Sequence, residues 1–213
     1  MRKFLLATTL LFLPVVANAV PVIQFAQTSG SNTITGTPNG TDTATTISGV
    51  GVAVNITQDL GGFLGAAFFN LSATSVDAAQ AIGTAVLQHY AGSFKLTSNA
   101  NGTGTNYLSG TFTDAALGSG PALALAAGSP PDVITFTSDQ VPAVDLTSPT
   151  ALAFSFTNVI PPVSIIGSTI ASFGATVSGN ASATPLAVPE PTSLAVMGIG
   201  LLGLTLIAKR RKA

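Results

Sequence analysis

Hydrophobic residues in the middle of the chain alternate with small residues at a period of two. One run places four apolar residues on the same predicted face: Val50, Val52, Val54 and Ile56. Two later runs alternate in the same way: Leu152, Phe154 and Phe156, and Ile134 with Phe136. Because successive side chains of a strand point to opposite faces, this pattern predicts strands that are buried on one side.

Further candidate strands extend this pattern along the chain, at 22–27, 32–37, 62–72, 94–98, 108–113 and 165–177. Turn signals rich in Gly, Pro, Asn and Ser separate them, at 38–40, 99–104, 118–121, 128–131, 148–149 and 161–162. Many short strands with such punctuation favour an antiparallel β-sandwich over a parallel α/β sheet. We therefore expect one mainly β domain over residues 20–187.

One segment, 75–90, fits either a helix or a strand. As a helix it would be capped by Ser75 and would place Ala79, Ile82 and Val86 on one face. Its later half also reads as a strand that runs from Val86 to Thr97. The all-β surroundings favour the strand.

Charge separates the ends of the chain from its middle. Only 7% of the 213 residues are charged, and six of the seven cations lie near the two ends. The middle keeps one cation, Lys95, against seven aspartates, which leaves a net charge of −6. We expect no nucleic-acid partner, because phosphate neutralisation needs clustered Lys and Arg. The chain has no Cys, which excludes disulfides and thiolate metal sites.

Residues 1–19 have the pattern of a secretory signal peptide. Two cations are followed by an apolar run, and the small residues Ala17 and Ala19 stand at the −3 and −1 positions of a predicted cleavage site. The run is short and interrupted by Pro14, unlike a transmembrane anchor. The sequence therefore predicts an N-terminal signal helix, with signal peptidase and the export machinery as partners.

The last segment, 188–213, has three parts in order. Pro189, Glu190 and Pro191 precede an apolar stretch at 192–208, and a basic cluster follows: Lys209, Arg210, Arg211 and Lys212. A helix over 192–208 would be about 26 Å long, near the lower limit for crossing a bilayer. The basic cluster would hold its end on the cytoplasmic side, so we predict a transmembrane helix with the domain outside.

This tail, on a chain with a signal peptide, resembles the PEP-CTERM sorting class of Gram-negative bacteria. The resemblance implies that an exosortase, a membrane protease, recognises Pro189, Glu190 and Pro191 and removes the helix. It also implies a transient stay in the inner membrane and delivery to the cell surface or the extracellular polysaccharide matrix. Proline fixes φ and disfavours helix in the residue before it, so the tripeptide would stay extended for a protease to bind.

The middle offers little catalytic chemistry. His89 is the only histidine, and no motif for a nucleophile elbow, a zinc protease or a phosphate-binding loop is present. The nearest acids, Asp132, Asp139 and Asp145, are spaced unlike an EF-hand loop, although calcium held between loops stays open. We predict no catalytic residue, no metal ligand and no cofactor.

These features favour a non-enzymatic structural or adhesive surface protein. The alternative is a carbohydrate-binding module, which would expose Tyr90, Tyr107 or Phe side chains as a cluster on one face. A secreted hydrolase is the third candidate and would gather His89 with two or more aspartates in a concave site.

Overall fold

A computed structural model describes residues 20–31, 33–118 and 123–184, without the side chains of 114–118. Within these ranges the chain forms thirteen strands: β1 Val20–Gln27, β2 Ile34–Pro38, β3 Thr45–Asp59, β4 Gly65–Ser75, β5 Gln80–Ile82, β6 Ala85–Thr97, β7 Asn106–Gly118, β8 Leu123–Ser129, β9 Ile134–Thr137, β10 Thr147–Ile160, β11 Ile165–Ile166, β12 Thr169–Ile170 and β13 Phe173–Thr184. A short 3-10 turn spans Ala143–Asp145.

The strands pair antiparallel, which confirms the predicted mainly β class. The path of hydrogen-bonded neighbours runs β6, β4, β3, β1, β13, β10, β8 and β7. Strand β7 then pairs with β6 along most of its length, so the sheet closes on itself. Closure leaves few free strand edges, where another chain could otherwise pair. The predicted sandwich is not confirmed, because the pairing path does not divide into two separate sheets.

The core lies inside this closed sheet and follows the predicted alternation for most strands. Leu152, Phe154 and Phe156 are buried on β10, and Ile134 with Phe136 is buried on β9. At the centre, aromatic rings from different strands meet: Phe25, Phe69, Phe94 and Phe154, with neighbouring ring centroids 4.8–6.4 Å apart. These contacts join parts of the sheet that are distant in sequence.

Glycine makes room for two of these rings. A Cβ atom on Gly179 of β13 would lie 2.5 Å from the ring of Phe25 and 2.8 Å from that of Phe154. Because real Cβ contacts are longer than this, the rings lie against β13 only because Gly179 has no side chain.

The prediction for Val50 is wrong. Val52, Val54 and Ile56 are buried, but Val50 is 81% exposed. The register between β3 and β4 shifts between Gly49 and Val52, and Gly51 adopts a left-handed φ of 60°. An extra residue in one strand moves all following side chains to the other face, so the alternation before this β-bulge does not continue through it.

Several segments depart from the expected strand boundaries. The predicted strand 165–177 is instead the hairpin β11–β12 followed by β13, because Gly167 makes the hairpin turn with a φ of 56°. Strand β8 was not predicted, and Ser148–Pro149 is an irregular part of β10 rather than a turn. The ambiguous segment 75–90 contains no helix, and β6 confirms the favoured strand.

The predicted signal helix at 1–19 and transmembrane helix at 192–208 lie outside the described residues. In the part of the chain that is described, no helix has the length and apolar character needed to cross a membrane.

Candidate functional site

The predicted sorting and cleavage residues lie beyond the two ends of the described domain. Pro189, Glu190, Pro191 and the basic cluster Lys209, Arg210, Arg211 and Lys212 follow it, and Ala17 with Ala19 precedes it. None of their side-chain geometry is therefore described. The structure does define where the chain enters and leaves the sheet.

Both chain ends leave the sheet at the same place. Val20, the first residue of β1, pairs with Ala183 near the end of β13. The last described residue, Thr184, is held from two sides: the Thr147 hydroxyl donates to its carbonyl at 3.0 Å, and its own hydroxyl donates to the Pro149 carbonyl at 3.3 Å. We call this part of the domain the exit end, defined by Val20, Thr184, the 60–64 turn and the 138–146 segment.

The exit end is closed by apolar side chains. Phe63 stacks on Tyr107 with ring centroids 4.2 Å apart and an interplanar angle of 15°. Val141 and Leu146, from the 138–146 segment, are buried against the same core. A Cβ atom on Gly61 would lie 2.7 Å from Cβ of Gln140, so the 60–64 turn and this segment touch.

The opposite end, which we call the far end, is closed by a buried polar network of Thr45, Gln88, Tyr90 and Thr169. The Gln88 amide donates to the Asp77 carbonyl at 2.8 Å and to the Thr169 hydroxyl at 3.1 Å. The Tyr90 hydroxyl donates to Gln88 Oε1 at 3.0 Å. Thr45 bonds the Thr169 hydroxyl and donates to the Ile170 carbonyl at 2.6 Å.

This network ties the β11–β12 hairpin to β3 and β6. Burial raises the pKa of Tyr90 above its ordinary value, and the nearby Asp77 carboxylate raises it further, although a hydrogen bond with Thr45 acts in the opposite direction. The phenol is therefore a neutral hydrogen-bond donor at ordinary pH. Because buried polar groups with all their partners rigidify a core, the network is structural.

His89 contacts the carboxylate of Asp77. Its Nδ1 lies 2.5 Å from Asp77 Oδ2, and its backbone N–H donates to Asp77 Oδ1 at 2.8 Å. Both side chains are about one-third exposed, at 35% and 33%. The arrangement a hydrolase would need, His89 with two or more aspartates, is not found among the described side chains.

Three aspartates accept backbone N–H groups, two within their own loops and one, Asp139, from the start of β7. Asp59 accepts the backbone N–H groups of Gly61 and Phe63, Asp132 accepts that of Gly128, and Asp139 accepts that of Asn106. Within the described ranges, no group of three or more His, Cys, Asp or Glu side chains could hold a metal ion. The structure therefore does not bring Asp132, Asp139 and Asp145 together as calcium ligands.

Most of the described aromatic side chains are buried. Tyr90 and Tyr107 are 0% and 7% exposed, and every described Phe is buried except Phe63 and Phe68, which are half-buried. An exposed cluster of aromatic rings, which a carbohydrate-binding module would offer, is not present on the described surface.

The outer surface of β1, β10 and β13 is instead small, polar and uncharged. It carries two shallow grooves, of about 350 Å³ and about 290 Å³, that share Ser178. Thr157 and Thr176 line the first, and Gln24 and Asn180 line the second. Hydroxyl and amide groups can form hydrogen bonds with an uncharged partner, but a ligand is not specified by shallow grooves of this kind.

The sequence analysis did not predict the buried polar network or the hydrogen bonds from backbone N–H groups to the aspartates. Asp59 precedes Gly61 and Gly62, and this Asp-x-Gly-Gly pattern is a usable signal for a side-chain-capped turn. Thr45, Gln88 and Thr169 carry no such signal, because 81 residues separate Gln88 from Thr169 and only the folded sheet brings them together.

The chain end carries a recognised class of sequence, a C-terminal protein-sorting signal. A family model described as the PEP-CTERM protein-sorting motif matches residues 187–212. The predicted resemblance is confirmed, and the motif indicates an exosortase-targeted extracellular protein with membrane-associated sorting. No curated protein and no solved structure matches the chain significantly.

Proposed function

We propose that the chain is an exported structural or adhesive protein of the cell surface or extracellular matrix, without enzymatic activity. Signal peptidase removes residues 1–19, and the tail 188–213 then holds the precursor transiently in the inner membrane. An exosortase cleaves at Pro189, Glu190 and Pro191 and releases the domain to its mature location. The observation that carries this proposal is the sorting motif at 187–212.

The described domain supports a passive role. Its closed sheet, packed aromatic core and loop-bound aspartates provide a stable body rather than a reactive cleft. The outer grooves are lined mostly by hydroxyl, amide and small apolar groups, which suit weak contacts with neutral partners such as extracellular polysaccharide. The proposal also keeps the predicted β-sandwich, in which two layers of the closed sheet would face each other across the core.

Mass spectrometry of the mature C-terminus tests the sorting step. We expect the host protein to end near Pro189 when the exosortase is present and to retain Lys209 to Ala213 when the exosortase gene is deleted. A triple change, Pro189→Ala with Glu190→Ala and Pro191→Ala, should also retain the tail. The matched control is Pro185→Ala, which alters a nearby proline outside the tripeptide and should be cleaved normally. An intact tail in the normal host would refute the proposal and leave a simple membrane anchor.

Carbohydrate binding remains the alternative, and its support is limited to the uncharged grooves. A binding assay on neutral polysaccharides would test it. Asn180→Ala changes a groove residue, and Asn99→Ala, which lies outside both grooves, is the control. Binding that Asn180→Ala abolishes and Asn99→Ala preserves would favour the alternative.

A further inference from the structure

The exit end carries exposed apolar side chains close to Val20 and Thr184, where the chain enters and leaves the sheet. Val20, Leu60, Leu64 and Val144 are all exposed there. The Leu60 N–H donates to the Val22 carbonyl at 2.7 Å, which places the 60–64 turn beside β1. The Thr147 hydroxyl, bonded to Thr184, also lies 3.5 Å from the Val144 carbonyl. These contacts bring the four residues to the end where the tail begins.

The length of chain beyond Thr184 limits how far this end can lie from a membrane. The apolar stretch of the tail starts at Thr192. Eight residue steps at no more than about 3.5 Å each give a reach of at most about 28 Å. Part of that reach lies within the headgroup layer, which is several ångströms thick on each side of the hydrocarbon.

The far end is not tethered to the membrane in the same way. Strand β6 runs from Ala85 at the far end to Thr97 near the exit end. Twelve steps at about 3.3 Å place the two ends of this strand about 40 Å apart. While the tail is inserted, the short connection therefore keeps the exit end within about 28 Å of the bilayer, whereas the far end lies about 40 Å from the exit end along the strand.

We propose that the exit end is a lipid-docking surface, on which Val20, Leu60, Leu64 and Val144 rest against the bilayer while the tail is inserted. This inference rests on the proposed membrane insertion of the tail. Asp59, Asp139 and Asp145 also lie at this end. Their negative charge opposes an anionic surface, so the matching partner is a zwitterionic lipid surface.

A tryptophan reporter tests the docking, because the chain contains no Trp. The full chain from Val20 to Ala213 would be reconstituted into phosphatidylcholine vesicles, with and without brominated lipid as a short-range quencher. One variant carries Leu64→Trp at the exit end. The control carries Ile82→Trp at the far end, and the two native side chains are similarly exposed, at 65% and 58%.

We expect brominated lipid to quench the emission of the Leu64→Trp variant by roughly half and that of the Ile82→Trp variant by less than about a tenth, since interfacial side chains enter only the outer bilayer. Val144→Trp provides a second reporter and should behave like Leu64→Trp. Replacing part of the lipid with phosphatidylglycerol should weaken the quenching at low salt and less so at high salt. Thermal unfolding of each variant checks that the fold is retained.

Vesicle flotation separates the two ways in which the inference can fail. If the chain floats with the vesicles but both reporters are quenched equally, or neither is quenched, the docking surface is refuted while the inserted tail stands. If the chain does not float, the membrane insertion is refuted, and the docking inference falls with it.

Discussion

The two ends of the closed sheet are sealed by different chemistry. The exit end is closed by the Phe63–Tyr107 stack and buried aliphatic residues, and its 60–64 turn is held by local hydrogen bonds to Asp59. The far end is closed by the Gln88–Tyr90–Thr169 network, which joins two residues of β6 to Thr169, 81 residues from Gln88. Local fastening tolerates the loss of one partner better than a buried network does, because the freed groups can reach water.

The largest expected effect is at Gln88. The change Gln88→Met keeps the volume but leaves the Asp77 carbonyl and the Tyr90 hydroxyl without their partner. We expect the free energy of unfolding to fall by about 3 kcal/mol, because buried groups lose their hydrogen bonds. Urea denaturation measures it. The control Gln58→Met, on an exposed position near the exit end, should change stability by less than about 0.5 kcal/mol.

A smaller effect is expected from Tyr90→Phe, which removes one buried hydroxyl. The loss should be about 1–2 kcal/mol near neutral pH. Tyr107→Phe is the matched control, because Tyr107 is also buried and its hydroxyl has no hydrogen bond among the described residues. Equal losses in the two variants would contradict the contrast between the ends.

The same tyrosine predicts a pH dependence. The raised pKa of Tyr90 means that the folded protein keeps the phenol protonated at a pH where the unfolded chain, with a pKa near 10.0, ionises it. Stability is therefore full below pH 10 and falls as the pH rises above it. Denaturation at about pH 8 and about pH 11 should show a smaller fall in Tyr90→Phe than in the parent protein.

At the exit end, Asp59→Ala should lower the free energy of unfolding by only about 1 kcal/mol, because the freed N–H groups of Gly61 and Phe63 lie in a surface turn. Asp145→Ala is the control, since no hydrogen bond of its carboxylate is described, and it should change stability by less than about 0.5 kcal/mol. A loss from Asp59→Ala as large as that from Gln88→Met would show that the turn is part of the core.

The smallest effect is expected for the His89–Asp77 pair. With His89 in its charged form, a double-mutant cycle with His89→Gln and Asp77→Asn should give a coupling energy of about 0.5 kcal/mol, because partly exposed ion pairs are well screened. The coupling should decrease in high salt. A coupling of several kcal/mol would indicate that the pair belongs to the buried network beneath it.

The sequence predicts local features of this fold better than distant ones. Alternation was sufficient to predict the burial of Leu152, Phe154 and Phe156, because all three lie in a regular stretch of β10. It failed at Val50, because the β-bulge between Gly49 and Val52 changes which of the alternating side chains point to the core. Strand β8 was missed because its Ala-rich sequence has low strand propensity and lies between two turn signals.

Neither the closure of the sheet nor the packing that closes its two ends could be predicted. The pairing of β6 with β7 depends on the curvature of the whole sheet, and no short pattern encodes it. The sorting motif is the opposite case. Its parts are contiguous in sequence, so it was recognised without any structure. The pairing of His89 with Asp77 was not foreseen, because β5 and a turn separate the two residues.

The neighbouring chain ends have a consequence for engineering. Because Val20 and Ala183 are partners in one ladder, the domain is topologically close to a ring that has been cut once. A short linker could join the two ends, and the cut could be moved to the turn at Gly83, where a Cβ atom would meet no neighbour within 4 Å. Such a circular permutant would keep every strand pairing. Its new chain ends would lie at the far end, so a protein fused to them would be carried on the opposite side of the molecule.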